Sequence, residues 1–168
     1  MENLDNSLQQ ALETWRQGRA SLDEVRALAA DLGNKHFSPG IPTLVELLDH
    51  EDEIVRYNAV NSLAFEFQHK PAADRLLTML GEDADEDCRR VAAGALGNLF
   101  QNSREGRVLA ALAKAALNDP DEDVRRSAYK ALLITNGVSR EEHLEILRSQ
   151  TLLVDPARVK AILAEISR

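Results

Sequence analysis

The hydrophobic and polar positions of this chain form a pattern that returns three times. In each copy an Asp-Glu pair, one further residue, Val or Cys, and Arg are followed by an alanine and a leucine, four and eight residues after the Val or Cys. The copies begin at Asp52, Asp85 and Asp121, so they are spaced by 33 and then 36 residues. Self-similarity at such a period is the sequence signature of repeat proteins.

Each copy predicts a helix that starts at an acidic turn. The spacing places Val55, Ala59 and Leu63 on one helix face, and the other two copies repeat it. An Asp before a helix is a favourable N-cap, and acids in the first turn suit the helix dipole. An apolar run precedes each turn, at residues 41–48, 76–80 and 108–117. Each unit is therefore predicted to be a helix, a tight turn and a second helix.

The flanks extend the array to about five helix pairs. Two helices are predicted at 5–16 and 22–32, the second opened by the capping-box pattern of Ser21 and Glu24 and followed by the stop signal Gly33-Asn34. Two more are predicted at 141–149 and 156–166, with Pro156 at a first helical position. We expect one domain over 1–168, divided into N-terminal capping helices at 1–37, clear repeats at 38–69, 70–103 and 104–137, and a degenerate capping repeat at 138–168.

The fold follows from what one helix pair can bury. A pair this short leaves its apolar stripe exposed, whereas stacked neighbours cover it, which gives an all-α solenoid. The pattern Asp-Glu-x-Val-Arg-x-x-Ala-x-x-x-Leu resembles the short HEAT-like repeat, the phycobilisome-lyase type, with residues 118–128 the closest match. The resemblance implies a right-handed α-α superhelix. It also implies a ladder in which Arg56, Arg89 and Arg125 pair with Asp52, Asp85 and Asp121 of the same or neighbouring turns.

Composition narrows the function. The chain has 168 residues, a formal charge of −8 and 44% hydrophobic residues, so it is long enough for a real core and too acidic for general affinity to nucleic acid. It has a polar N-terminus, one cysteine and no apolar run long enough to span a membrane, so the cytoplasm is the expected location.

Two surfaces are candidates for binding a partner protein. The first, the acidic ridge, is formed by the repeated turns, and its members are Asp52, Glu53, Asp85, Glu86, Asp121 and Glu122. N-capping and solubility are the favoured explanation of these acids, and capture of a basic partner is the alternative. The second lies on the second helix of each unit, off the apolar stripe, at positions that tend to line the concave face of such solenoids. Its members are Tyr57, Asn58, Asn61, Arg90, Gly94, Asn98, Arg126, Ser127 and Lys130. Phe65 fits either this face or the core.

No catalytic or metal-binding motif is present in the sequence. The four histidines lack metal-ligand spacing, and Cys88 occupies the Val position of its repeat, which favours a buried thiol. We therefore expect no cofactor, no metal, no small-molecule substrate and no enzyme activity. The favoured function is a protein-interaction module, with an inhibitor of the toxin-immunity kind as its sharper form and a basic protein as one option for the partner. A regulatory or scaffold subunit is the alternative, and a DNA glycosylase or a bilin lyase or chaperone is a weaker one.

Overall fold

The computed structural model describes residues 2–149 and 152–166, and for residues 2–5 and 147 it describes the backbone alone. These residues form ten α-helices and no strand, so the prediction of an all-α fold is confirmed. The chain divides into two compact units, residues 1–72 and 73–168. The first contains α1 (Glu2–Arg16), α2 (Leu22–Asn34), α3 (Ile41–Leu47) and α4 (Glu53–Asn61). The second contains α5 (Ala73–Glu82), α6 (Glu86–Leu99), α7 (Gly106–Asn118), α8 (Glu122–Asn136), α9 (Arg140–Arg148) and α10 (Pro156–Ile166).

The capping signals explain where the helices begin. The carboxylates of Asp52, Asp85 and Asp121 accept hydrogen bonds from the backbone N–H three residues later, at 3.1, 2.9 and 3.0 Å. Ser21 and Glu24 form the complete capping box that the sequence predicts. These bonds satisfy backbone donors that a helix start leaves without an intrahelical partner. The predicted starts at the three acidic turns and at Leu22 are therefore confirmed, whereas α1 and α5 begin three residues before their predicted ranges.

In the first unit, α2 packs along α4, with α1 and α3 against them. A π-helical turn at Ser62–Glu66 continues α4 and packs on α2. There the buried Ser62 hydroxyl donates to the Ala29 carbonyl at 2.7 Å. Gly33 lies directly against Ser62, so it allows close helix packing inside α2. It does not end the helix as predicted, since α2 continues through Asn34 and its C-cap is Lys35.

In the second unit, α6 packs along α8, α5 lies against α6, and α7 lies against α8. Gly97 in α6 faces Ala131 in α8, and a Cβ at Gly97 would lie 2.8 Å from the Ala131 Cβ. Gly33 and Gly97 both stand twelve residues after their helix N-caps, so the close approach recurs in the two units. The last helix is atypical because α10 packs chiefly against α7.

The predicted apolar stripe forms the core. All nine of its side chains are fully buried: Val55, Ala59, Leu63, Cys88, Ala92, Leu96, Val124, Ala128 and Leu132. Burying a Val or Leu side chain contributes about 1.5–3 kcal/mol, so these positions dominate the stability of each unit. Phe65 is 42% exposed and does not belong to the core.

The arginine ladder differs from the one that the resemblance implies. Arg89 binds Asp119 at 2.9 and 3.1 Å, whereas Asp85 and Asp121 serve as helix caps. The side chains of this pair are 12% and 6% exposed, so it is not a surface ion pair. Asp52 pairs with Arg26 of the preceding helix pair at 3.0 and 2.5 Å. The repeat arginines also have a shared role. Each donates from Nη1 to two backbone carbonyls of its own acidic turn, as seen in Arg56, Arg89 and Arg125.

Candidate functional site

The predicted binding face has members in both units. In the first unit, Tyr57, Asn58 and Asn61 are half-buried on α4. The Asn58 amide donates to the Arg26 carbonyl of α2 at 3.2 Å, and the Asn61 amide donates to the Tyr57 carbonyl at 3.2 Å. The Asn58 amide therefore links α4 to α2, whereas the Asn61 bond lies within α4, and the Phe65 ring beyond them is exposed.

In the second unit, a cavity of about 320 Å³ opens between α6 and α8. We call it the α6–α8 groove, and it is lined by Arg90, Asp123, Arg126, Ser127 and Lys130. The structure thus brings together four residues that the sequence placed on the binding face and adds Asp123, which the sequence did not place there. Gly94 and Asn98 are half-buried on α6 and do not line this cavity.

A direct hydrogen bond joins the two walls of the α6–α8 groove. The Ser127 hydroxyl donates to the Arg90 carbonyl at 3.2 Å. Ser127 and Asn58 both stand six residues after their helix N-caps, and each donates to a carbonyl of the preceding second helix. The bond is therefore a repeated structural feature that keeps neighbouring helices in register.

The cations of the groove have carboxylate partners within their own helices. Arg90 contacts Asp87 at 2.6 Å, and Arg126 contacts Asp123 at 2.8 Å and Glu122 at 3.3 Å. The three carboxylate side chains are 63–71% exposed. Lys130 differs, because its ammonium donates to the backbone carbonyl of Ser149. The sequence predicted a locally positive face, and the structure shows that acids of the first helical turn balance much of that charge.

The acidic ridge divides into two kinds of residue. Asp52, Asp85 and Asp121 are half-buried helix caps, whereas Glu53, Glu86 and Glu122 are exposed. Hydrogen bonds from Arg26 hold the pKa of the Asp52 carboxyl at about 2, well below its usual range. The aspartates thus have a structural role, and the glutamates form the part of the ridge that solvent reaches.

The structure adds a residue to each turn that the sequence did not reveal. In the second unit, Asp83 and Asp119 accept hydrogen bonds from the backbone N–H of the capping aspartates two residues later, at 3.0 and 2.9 Å. In the first unit His50 occupies the same position, and its Nδ1 accepts from the Asp52 N–H at 3.1 Å. The sequence signal that could have identified these three residues is their shared position, two residues before each capping Asp.

Neither a metal site nor a membrane span is apparent in the part of the chain that the structure describes. Among those residues, no group of three or more His, Cys, Asp or Glu side chains is placed to hold a metal ion. None of the described helices has the length and hydropathy needed to cross a bilayer.

Comparison with known proteins agrees with the repeat pattern. A family model described as HEAT repeats matches residues 12–97 and, in a second and overlapping match, residues 73–166. This confirms the resemblance that the residues suggested. HEAT-repeat domains generally act as scaffolds for protein interaction and are usually non-catalytic. No curated protein matches the chain.

Proposed function

The chain belongs to the HEAT-repeat family, and we propose that it is a non-enzymatic module that binds a partner protein in the α6–α8 groove. The observation that carries this proposal is the groove itself. It is an open cavity of about 320 Å³ lined only by charged and polar side chains. Arg90 and Arg126 share one repeat position, but Ser127 and Lys130 stand where α6 has Val91 and Gly94, so the repeat architecture alone does not account for these two side chains.

The walls of the groove support a binding role because they are held in place. Gly97 lets α6 approach α8 closely, and the Ser127 hydrogen bond links the same two helices. A preorganised surface loses less conformational entropy when a partner binds. Arginine is also among the side chains that most often anchor protein interfaces.

The acidic ridge supports a sharper form of the proposal, an inhibitor of the toxin-immunity kind. Its exposed glutamates, Glu53, Glu86 and Glu122, would attract a basic partner and speed its association. A regulatory or scaffold subunit would use the same groove without this steering. DNA glycosylase activity has less support, since the chain carries a net charge of −8 and exposed acids begin both helices of the groove.

The experiment compares the two surfaces directly. The tagged full chain is used to capture partners from its native host at low and high salt. The groove variant carries Arg126→Gln and Lys130→Gln, because a glutamate at 126 would repel its neighbours Glu122 and Asp123. The ridge variant carries the Gln substitution at Glu53, Glu86 and Glu122. The control carries Lys114→Gln, an exposed lysine of α7.

We expect the groove variant to lose the partner while its melting temperature stays unchanged. The ridge variant should keep the partner and lose mainly the salt dependence of its association rate. Retention by the groove variant and loss by the ridge variant would move the site to the ridge. If the wild-type chain captures no partner at either salt concentration, or if it excises DNA bases or isomerises a bilin, the proposed function is wrong.

A further inference from the structure

Resting on the proposed function, we infer that the α6–α8 groove recognises carboxylates of a short acidic segment in the partner protein. Around a single cavity the groove concentrates three cationic side chains, Arg90, Arg126 and Lys130, with the hydroxyl of Ser127 and one carboxylate, Asp123. Guanidinium groups present planar, bidentate donors that match a carboxylate. The observation is unexpected for a chain with a net charge of −8.

The present partners of these arginines leave room for an incoming carboxylate. Their carboxylates, Asp87, Glu122 and Asp123, are 63–71% exposed, and exposed ion pairs contribute little to stability. In the same unit, by contrast, the side chains of Arg89 and Asp119 are only 12% and 6% exposed, and this buried ion pair is structural. A ligand carboxylate can thus replace the first set of pairs at small cost and leave the second intact.

Lys130 differs from the two arginines in the kind of group that its ammonium contacts. Its ammonium donates to the carbonyl of Ser149 and, among the described residues, to no carboxylate. Lys130 is half-buried between this carbonyl and the cavity, so its charge is less screened than that of a surface lysine. An anionic group in the cavity would therefore gain most from Lys130.

The size and rim of the groove favour a short acidic protein segment over a nucleic acid. The volume of about 320 Å³ is at the low end for ligand pockets, so it accommodates only a few side chains. The exposed acids Glu86, Asp87, Glu122 and Asp123 stand at the N-terminal ends of the two helices that form the cavity. A continuous phosphate backbone would be repelled by them, whereas a short segment confines its charge to the cavity.

An NMR titration of the ¹⁵N-labelled full chain tests this inference. The probe is a peptide with three glutamates between terminal glycines. The control peptide has glutamines in place of the three glutamates. We expect the glutamate peptide to cause saturable chemical-shift changes of the Ser127 amide signal and of the Nε–H signals of the groove arginines. The triple variant Arg90→Gln, Arg126→Gln, Lys130→Gln should bind at least tenfold more weakly. A control variant with Lys114→Gln and Lys160→Gln should bind like the wild type.

Three results of the titration would overturn the inference. Equal shifts with the glutamine peptide would show that charge is not recognised. Shifts spread over exposed lysines outside the groove would show general attraction, and tighter binding of oligothymidylate at the same residues would indicate a nucleic acid. If the triple variant still captures the host partner of the wild-type chain, the groove is not the binding site, and the proposed function fails together with the inference. If the triple variant loses the host partner but the wild type binds the glutamate and glutamine peptides equally, the inference fails while the proposed function stands. If the wild type captures no partner, the proposed function fails.

Discussion

Replacing Gly97 with alanine adds a methyl group where two helices touch. The new Cβ would lie 2.8 Å from the Ala131 Cβ and 2.9 Å from its Cα. The Ala131 side chain has no rotamer that moves its Cβ away, so α6 and α8 would have to separate. That shift would disturb the register that the Ser127 hydrogen bond maintains between the same helices.

The expected magnitude follows from two opposing terms. Alanine is favoured over glycine inside a helix by about 1 kcal/mol. Overpacking a close-packed site costs about 1–3 kcal/mol, and the cost at Gly97 lies toward the upper end because the obstacle includes backbone. We therefore expect Gly97→Ala to lower the free energy of unfolding by about 1–2 kcal/mol, from the difference of these terms. Gly81→Ala is the matched control, because no atom lies within 4 Å of its Cβ position.

Urea denaturation followed by far-UV circular dichroism measures the effect. The midpoint should fall for Gly97→Ala and should rise or stay constant for Gly81→Ala. Adding Ala131→Gly to Gly97→Ala should recover part of the loss beyond the sum of the single effects, because the two residues share one contact. A Gly97→Ala variant at least as stable as the wild type would refute the argument that backbone contact requires this glycine.

Three further predictions concern the core, acid stability and the thiol. Leu96→Ala should lower the free energy of unfolding by about 2–5 kcal/mol. Arg89→Ala should lower it by more than the 0–1 kcal/mol typical of surface ion pairs, because the Arg89–Asp119 pair is largely buried. If 1 M NaCl lowers the stability of the wild type by as much as Arg89→Ala does, this prediction is contradicted. The low pKa of Asp52 means that its stabilising charge is complete above about pH 4 and is lost as the pH falls toward 2, so tryptophan fluorescence should show less acid-dependent destabilisation of the first unit in Asp52→Asn. The thiol of Cys88 is fully buried, and it should react with Ellman's reagent only at the rate at which the second unit opens; fast reaction of the folded chain would show that it is accessible.

Local signals in the sequence predicted the parts of the fold that depend on local physics. The stripe of Val124, Ala128 and Leu132 follows from helix periodicity, and the N-cap role of Asp121 follows from a side chain bonding to its own backbone three residues on. The partner of Arg89 lies 30 residues away in the next turn. No pattern within one repeat could select Asp119 over the equally acidic neighbours that cap the helix.

The charge balance of the groove could have been predicted in part. Side chains three or four residues apart on a helix are neighbours, so Arg126 was within reach of Glu122 and Asp123 from the spacing alone. The repeat pattern alone places the acids in the turn and the arginines on the face, and it does not show that the two surfaces adjoin. The contact between Lys130 and Ser149 could not be predicted in this way, because it depends on where the segment after α9 lies.

The proximity of the groove to acidic residues leads to a prediction about the sequence of the partner. A segment whose carboxylates enter the cavity must place its flanking residues near Glu86 and Glu122, which are exposed at the starts of α6 and α8. Basic residues there would turn repulsion into attraction, so a peptide with lysines on both sides of its glutamates should bind more tightly than the glycine-flanked peptide. Isothermal titration at low salt measures the difference, and Glu86→Gln with Glu122→Gln should remove it while leaving the affinity for the glycine-flanked peptide unchanged or higher. If the lysine-flanked peptide binds more weakly than the glycine-flanked one, the carboxylates do not enter the cavity in this orientation.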